Sequence, residues 1–290
     1  MKKYILMSFF LLGFSTIIMA QETKVSSVQI NGKSQPCVAA NYMISADLVE
    51  AALRKKFSDL KLGSGSKASD GYRLYKGVVM SDLASEKMDI YFKVEDRKPS
   101  STVYMLTSKG YDNFMTMSTD SVVVTKTISF LDHFVKDATA YRLNTEIEKQ
   151  NNTMGDTEKR IKNNLKDGEN LAKKKKKLES KISENVIETG AKKNEAENEQ
   201  RALEQVKVKT ATIEGVSDLK KEVGKQESVT KKATNNFESA VKDGAEYAED
   251  LAKTEKEIEV NKNEQEALKI LMEADKLKLQ ELKTQLRDVK

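Results

Sequence analysis

From Tyr141 to Lys290 the chain runs 150 residues without a proline, 63 of them charged, while apolar side chains recur in heptads. A stretch like this cannot close a globular core of its own. It can bury its apolar positions only by pairing helix against helix. In residues 216–290 the a positions are Val216, Val223, Thr230, Phe237, Gly244, Leu251, Ile258, Gln265, Met272, Leu279 and Leu286. The d positions include Leu219, Ala233, Ala240, Tyr247, Leu268, Leu282 and Val289. Residues 141–214 carry a weaker seam, marked by Leu143, Ile147, Met154, Ile161, Leu171, Leu178, Ile182, Leu203, Val206 and Ile213, into which Lys175 intrudes.

The two stretches resemble each other at one offset of 76 residues. Glu146-Ile147-Glu148-Lys149-Gln150 matches Glu222-Val223-Gly224-Lys225-Gln226, and Lys166-Asp167-Gly168 matches Lys242-Asp243-Gly244. Ile182, Asn185, Glu188 and Leu203 match Ile258, Asn261, Glu264 and Leu279. Charged helices share single residues by chance, but two motifs at one common offset point to two repeats, about 141–214 and 216–290. The heptad phase slips by one residue between Ile213 and Val216, where Glu214-Gly215 sits, and this marks Gly215 as the candidate for a helix reversal. Two helices of about 70 residues folding back there would each extend roughly 100 Å. A four-helix arrangement broken at Gly168 and Gly244 is the rival. Unbroken phase argues against it, and the cost of about 1 kcal/mol for glycine inside a helix argues for it.

Residues 21–140 have a different character. They hold both prolines and most of the aromatics, whereas beyond Tyr141 only Phe237 and Tyr247 are aromatic. About 120 residues is an ordinary size for a domain with its own core. Strands are expected at Lys24–Asn31 and Cys37–Ile44, around Gly32. A helix capped by Ser45 then follows, with Leu48, Val49, Ala52, Leu53 and Phe57 at helical spacing. After a flexible loop at Leu62–Ser66 come strands at Tyr72–Met80, Met88–Arg97 and Ser101–Ser108, with Pro99 in the last connection. A closing helix carries Val124, Ile128, Leu131, Val135 and Ala138 on one face. The expected class is α+β: an N-terminal antiparallel sheet domain of order ββαβββα, followed by a long α-helical antiparallel coiled coil.

Residues 1–20 read as a signal peptide: Lys2-Lys3, an apolar run from Tyr4, and a cut after the small residue Ala20. The run is too short for a stable bilayer span, and no later segment is apolar enough, so no transmembrane span is expected in the mature form. The expected location is the periplasm or the outside of the cell. Loss of Lys2 and Lys3 takes the formal charge from +5 to +3. Mixed charge at near-neutral balance, together with export, argues against a nucleic-acid partner. The lone Cys37 cannot form an internal disulfide and reads as a small core residue.

No catalytic, cofactor-binding or metal-binding constellation stands out. His133 is the only histidine and falls off the apolar stripe, and Gly63-Ser64-Gly65-Ser66 lacks the lysine of a phosphate loop. The reading is therefore of a protein that is not an enzyme. Two weaker signals remain. The run Lys173, Lys174, Lys175, Lys176 and Lys177 is either a weak contact for an anionic surface or a solvated helical stretch. Tyr91 and Tyr104 lie opposite in parity to the core-facing positions of their strands, and are either the exposed pair of an aromatic ligand groove or ordinary half-buried sheet tyrosines.

Gly71-Tyr72-Arg73-Leu74-Tyr75-Lys76-Gly77-Val78, Asp89-Ile90-Tyr91-Phe92-Lys93-Val94, Ser108-Lys109-Gly110 with Asn113-Phe114, and Ser129-Phe130-Leu131 carry a resemblance. Together with the signal peptide they resemble a family of functionally uncharacterised exported proteins of Bacteroidota-type bacteria, in which such a domain precedes a charged coiled coil. The resemblance covers roughly residues 21–210 and brings no catalytic residue or ligand with it. At the level of architecture alone, the strand order is also similar to small exported domains with a TATA-binding-protein-like fold.

The expected function is that of an exported structural or adaptor protein whose coiled-coil arm mediates protein–protein interaction in the cell envelope, with an envelope protein or with itself. The alternative is a module that binds a peptide or apolar ligand on its sheet and uses the coil as a spacer.

Overall fold

The structure is a computed structural model that describes residues 22–111, 113–212 and 217–289. The chain divides into two compact units, one of Met1–Gln150 with Leu279–Lys290 and the other of Asn151–Lys278. The fold is α+β: an antiparallel six-stranded sheet followed by two long helices packed against each other.

In the first unit β1 (Thr23–Ile30) and β2 (Lys33–Tyr42) form a hairpin across Asn31-Gly32. Both turn residues have positive φ, 51° and 72°, the twist that a two-residue hairpin loop demands and that Asn-Gly tolerates. The Asp70 carboxylate accepts from the Asn31 main-chain N–H at 2.8 Å and fastens that turn.

Helix α1 (Ala46–Asp59) buries Val49, Ala52, Leu53 and Phe57, the periodic positions of its sequence. Ser45 stands at the N-cap but makes no side-chain capping bond there. The helix ends when Lys61 takes φ 58°, with Lys61 N–H donating to Ser58 and Leu62 N–H to Phe57, both at 2.9 Å. This is a left-handed stop of the kind usually built on glycine.

The stretch expected to be a flexible loop is partly ordered into the sheet. Ser66–Lys67 forms a two-residue strand, β3, on β4 (Arg73–Val78), so the order gains an edge strand. A Cβ on Gly65 would come within 2.9 Å of the Tyr75 ring, so the backbone approaches that ring as only glycine can. Strands β5 (Met88–Arg97) and β6 (Ser100–Ser108) close around Lys98-Pro99, and the sheet order is β1-β2-β6-β5-β4-β3.

Alternate residues Val38, Ala40 and Tyr42 of β2, Met88, Ile90 and Phe92 of β5, and Val103 and Met105 of β6 face one core. Helix α1 and the first turns of α2 (Ser121–Thr212) cover it with Leu53, Phe57, Phe130, Leu131 and Phe134. Each large side chain sealed there contributes roughly 1.5–3 kcal/mol. Tyr42 ties the layers polar-wise as well, its hydroxyl donating to the Leu131 carbonyl at 2.7 Å.

Helix α2 runs unbroken through Gly168, and α3 (Ser217–Val289) runs unbroken through Gly244. The rival four-helix arrangement is thereby overturned. The reversal candidate Gly215 and the seam residue Ile213 lie outside the described residues. Among the described residues no helix is long and apolar enough to cross a membrane.

Candidate functional site

Within the second unit α2 and α3 run antiparallel, and the seam between them follows the heptads of both. Along α3 the buried and half-buried positions from Thr230 to Asp275 are those of the a and d series, joined by Thr234, Glu257 and Ala274. Along α2 the matching series from Met154 to Glu199 is sheltered in the same way. Much of this seam is polar. Thr157, Asn164, Asn185, Thr230, Thr254 and Asn261 are all 9 % exposed or less.

Buried polar side chains require partners. Asn164, Asn185, Thr230 and Asn261 find them across the seam, while Thr157 and Thr254 donate back to carbonyls of their own helix. The Asn185 amide donates to the Ala240 carbonyl at 2.9 Å, and its oxygen accepts from Thr189 one turn on, at 3.4 Å. The Asn261 amide donates to the Asn164 carbonyl at 3.0 Å, and its oxygen accepts from Gln265 one turn on, at 3.1 Å. Each carboxamide lies over a glycine of the opposite helix. A Cβ on Gly168 would fall 2.7 Å from the Asn261 Oδ1, and one on Gly244 would collide with the Asn185 Oδ1. The glycines inside these helices therefore make room for side chains from the other arm. A single polar residue at such a position fixes register at some cost in stability.

Between the two Asn–Gly pairs stands the lysine run. Lys175 is half-buried in the seam and its ammonium reaches Glu255 on α3 at 2.7 Å and Glu179 on its own helix at 3.8 Å. The hydrogen bond to Glu255, reinforced by that carboxylate's charge, raises the Lys175 pKa. Lys174 pairs with Glu257 at 3.6 Å. Lys173, Lys176 and Lys177 are exposed and make no ion pair among the described residues. The run is thus divided: two of its lysines belong to the seam and three project outward.

In the first unit the second face of the sheet carries a smaller apolar cluster of Ile30, Cys37, Tyr72, Leu106 and Phe114. Tyr91 and Tyr104 pack against it and are half-buried, so they are not a fully exposed pair. The Tyr91 and Phe114 rings lie 5.5 Å apart, and the Lys93 ammonium sits 5.8 Å from the Tyr72 ring centre. Burial pushes the Cys37 thiol up to about 11, offset in part by a hydrogen bond with Ser26. Burial pushes the Tyr72 hydroxyl up too.

His133 is exposed on α2, with its Nδ1 2.6 Å from the Ser129 carbonyl of the preceding turn. It borders a recess of about 310 Å³ shared with Lys56, Asp82, Lys126 and Asp137. Lys56 and Asp137 pair there at 2.9 Å.

Sequence reasoning missed the roles of Asn164, Asn185, Gly168 and Gly244 in the seam. The signal that could have found them was present for three of the four: Gly168 and Gly244 fall at the repeat offset, as do Asn185 and Asn261, each asparagine 17 residues beyond the glycine of its own helix. Comparison with protein-family models, curated proteins and solved structures finds no match to the chain.

Proposed function

We propose that the chain is a non-enzymatic, exported structural or adaptor protein whose helical hairpin mediates protein–protein contact in the cell envelope. The observation that carries this reading is the division of labour on α3. Its seam positions are occupied by α2 in a fixed register, yet Val260, Ile270, Leu271 and Leu277 stand off the seam and are 39–68 % exposed. They fall on neighbouring helical positions, about 25 Å from first to last at 1.5 Å per residue. Apolar side chains held out on a register-locked helix suit an amphipathic partner helix or a hydrophobic groove. The outward lysines Lys173, Lys176 and Lys177 would add weak, salt-sensitive attraction to an anionic surface. Export rests on the N-terminal twenty residues and on the resemblance to exported coiled-coil proteins.

A photo-crosslinking residue placed at Ile270 or Leu277 in living cells tests the reading. One discrete adduct with a different protein from these positions, and none with a different protein from the seam position Leu268, is the expected result. Adducts from Tyr91 alone would move the function to the sheet. That second reading, a peptide or apolar-ligand module with the coil as spacer, draws on the half-buried Tyr91 and Tyr104 beside an apolar cluster. N-terminal sequencing of the mature protein tests the cut after Ala20. Turnover of any envelope substrate by the purified chain would overturn the non-enzymatic reading.

A further inference from the structure

Each contact of one Asn–Gly pair has a counterpart 76 residues along the chain. Asn185 becomes Asn261, its i+4 donor Thr189 becomes Gln265, and the glycine beneath it, Gly244, answers to Gly168. The acceptor carbonyls follow the same rule, since Ala240 lies 76 residues beyond Asn164. The seam obeys it as a whole. Every a or d position of α3 from Thr230 to Asp275 that is sheltered from solvent has a sheltered equivalent on α2, from Met154 to Glu199. Lys175 stands between Glu179 and Glu255, which are themselves equivalent by the same offset.

Two antiparallel helices whose sheltered positions and Asn–Gly contacts exchange under one sequence shift are related by a local two-fold axis. That axis crosses the seam beside Lys175. A symmetric dimer uses the same arrangement, in which residue i of one helix meets residue j of the other and j meets i.

We infer that α2 and α3 are two copies of one self-complementary helix, and that the partner this hairpin accepts is a second copy of the chain, taken up by exchange of arms. This rests on the reading that the hairpin is the chain's interaction arm. In the exchanged state α2 of one chain lies on α3 of the other and both Asn–Gly pairs re-form between chains. Closed and exchanged forms then share their seam contacts, and chain concentration sets the balance between them. The closed form is favoured by an effective concentration of about millimolar between tethered arms. The polar side chains in the seam make opening cheaper than for a wholly apolar coil, because less hydrocarbon is uncovered.

The experiment uses full-length chains in a Cys37→Ser background. One tagged population carries Asn185→Cys and a differently tagged one carries Gly244→Cys. A Cβ at Gly244 lies 3.3 Å from the Asn185 Cγ, within the reach of a disulfide, and the Gly168–Asn261 pair gives 3.7 Å. Incubated together and oxidised, the two populations are expected to yield a disulfide between tags. The Gly168→Cys and Asn261→Cys populations should do so to a similar extent, as two-fold equivalence requires. Light scattering on the unsubstituted chain should show mass rising toward two copies with concentration, a readout that needs no folded variant. No disulfide between tags, with a one-copy mass at every concentration, would overturn the exchange while leaving the adaptor reading to its own crosslinking test. A strong disulfide from one pair and none from the other would overturn the equivalence of the arms.

Discussion

The side-chain amide of Asn185 donates to the main-chain carbonyl of Ala240 at 2.9 Å, a bond that joins residues 55 apart in sequence and lies buried between two helices. A carboxamide in that position can be satisfied in one register only. Asn185→Ala should lower the stability of the hairpin by about 1 kcal/mol, the net contribution of a buried neutral hydrogen bond. Asn261→Ala should cost a similar amount. The two should add, since the sites share no partner. Urea unfolding followed by circular dichroism measures both, and a cost for one without the other would break their equivalence.

Glycine substitutions separate backbone propensity from packing. Gly155, Gly190 and Gly224 lie inside helices with open space where a Cβ would go. Alanine at each should raise stability by up to about 1 kcal/mol. Gly168→Ala and Gly244→Ala should not, because the new methyl displaces Asn261 or Asn185 from its hydrogen bond. In the Asn261→Ala and Asn185→Ala backgrounds, respectively, the same substitutions should become stabilising. Unfolding midpoints of the single and double variants close the cycle.

Lys175 occupies a heptad position that an apolar residue would fill better. Its ion pairs with Glu255 and Glu179 are partly solvated and therefore weak. Lys175→Leu should therefore raise the urea midpoint and flatten its dependence on salt. A fall in stability at every ionic strength would mean that the pairing matters more than the hydrocarbon.

Alkaline pH should weaken the sheet unit. Burial raises the Cys37 thiol from 9.0 to about 11 and raises the Tyr42 and Tyr72 hydroxyls as well. For a group whose pKa is higher in the folded chain, the stabilisation is complete below the unfolded value. It is lost as pH rises through the folded one. The Cys37 contribution should thus decline between pH 9 and about 11, and Cys37→Ser should make the fall of the urea midpoint shallower in that window. Alkylation of Cys37 should require unfolding, with the native chain unlabelled at neutral pH.

Tyr42→Phe keeps the ring against Phe134, whose centre is 5.7 Å away, and removes only the hydroxyl that donates to Leu131. A loss of about 1 kcal/mol is expected. A neutral result would mean that the aromatic contact alone holds β2 to α2.

The strands and the heptad seam were legible because both rest on periodicity that local sequence displays: Met88, Ile90 and Phe92 alternate, and Leu268 and Met272 recur at coil spacing. The β3 edge was not, since two paired residues have no period. The Lys61 stop hid because a left-handed lysine has no sequence mark. The seam on α2 was only half visible. Asn164 and Asn185 look like surface residues until the opposite arm supplies Asn261, Ala240 and Gly244, and that meeting belongs to the folded chain.

The threonines of the seam carry one more consequence. Thr157, Thr230 and Thr254 each turn the hydroxyl back to the carbonyl four residues earlier, at 3.1, 2.9 and 2.8 Å, and are 6 % exposed or less. A seam in which such hydroxyls and cross-bonded carboxamides interrupt Leu178, Leu268 and Met272 releases less hydrocarbon to water when it melts than a wholly apolar one. The heat capacity change of such melting is reduced, because newly hydrated polar surface offsets part of the apolar contribution. The stability curve of the hairpin against temperature should then be broad and flat, while that of the phenylalanine- and methionine-filled sheet unit is sharply domed. In the cold, when apolar cores lose their driving force, the arm should keep its strength.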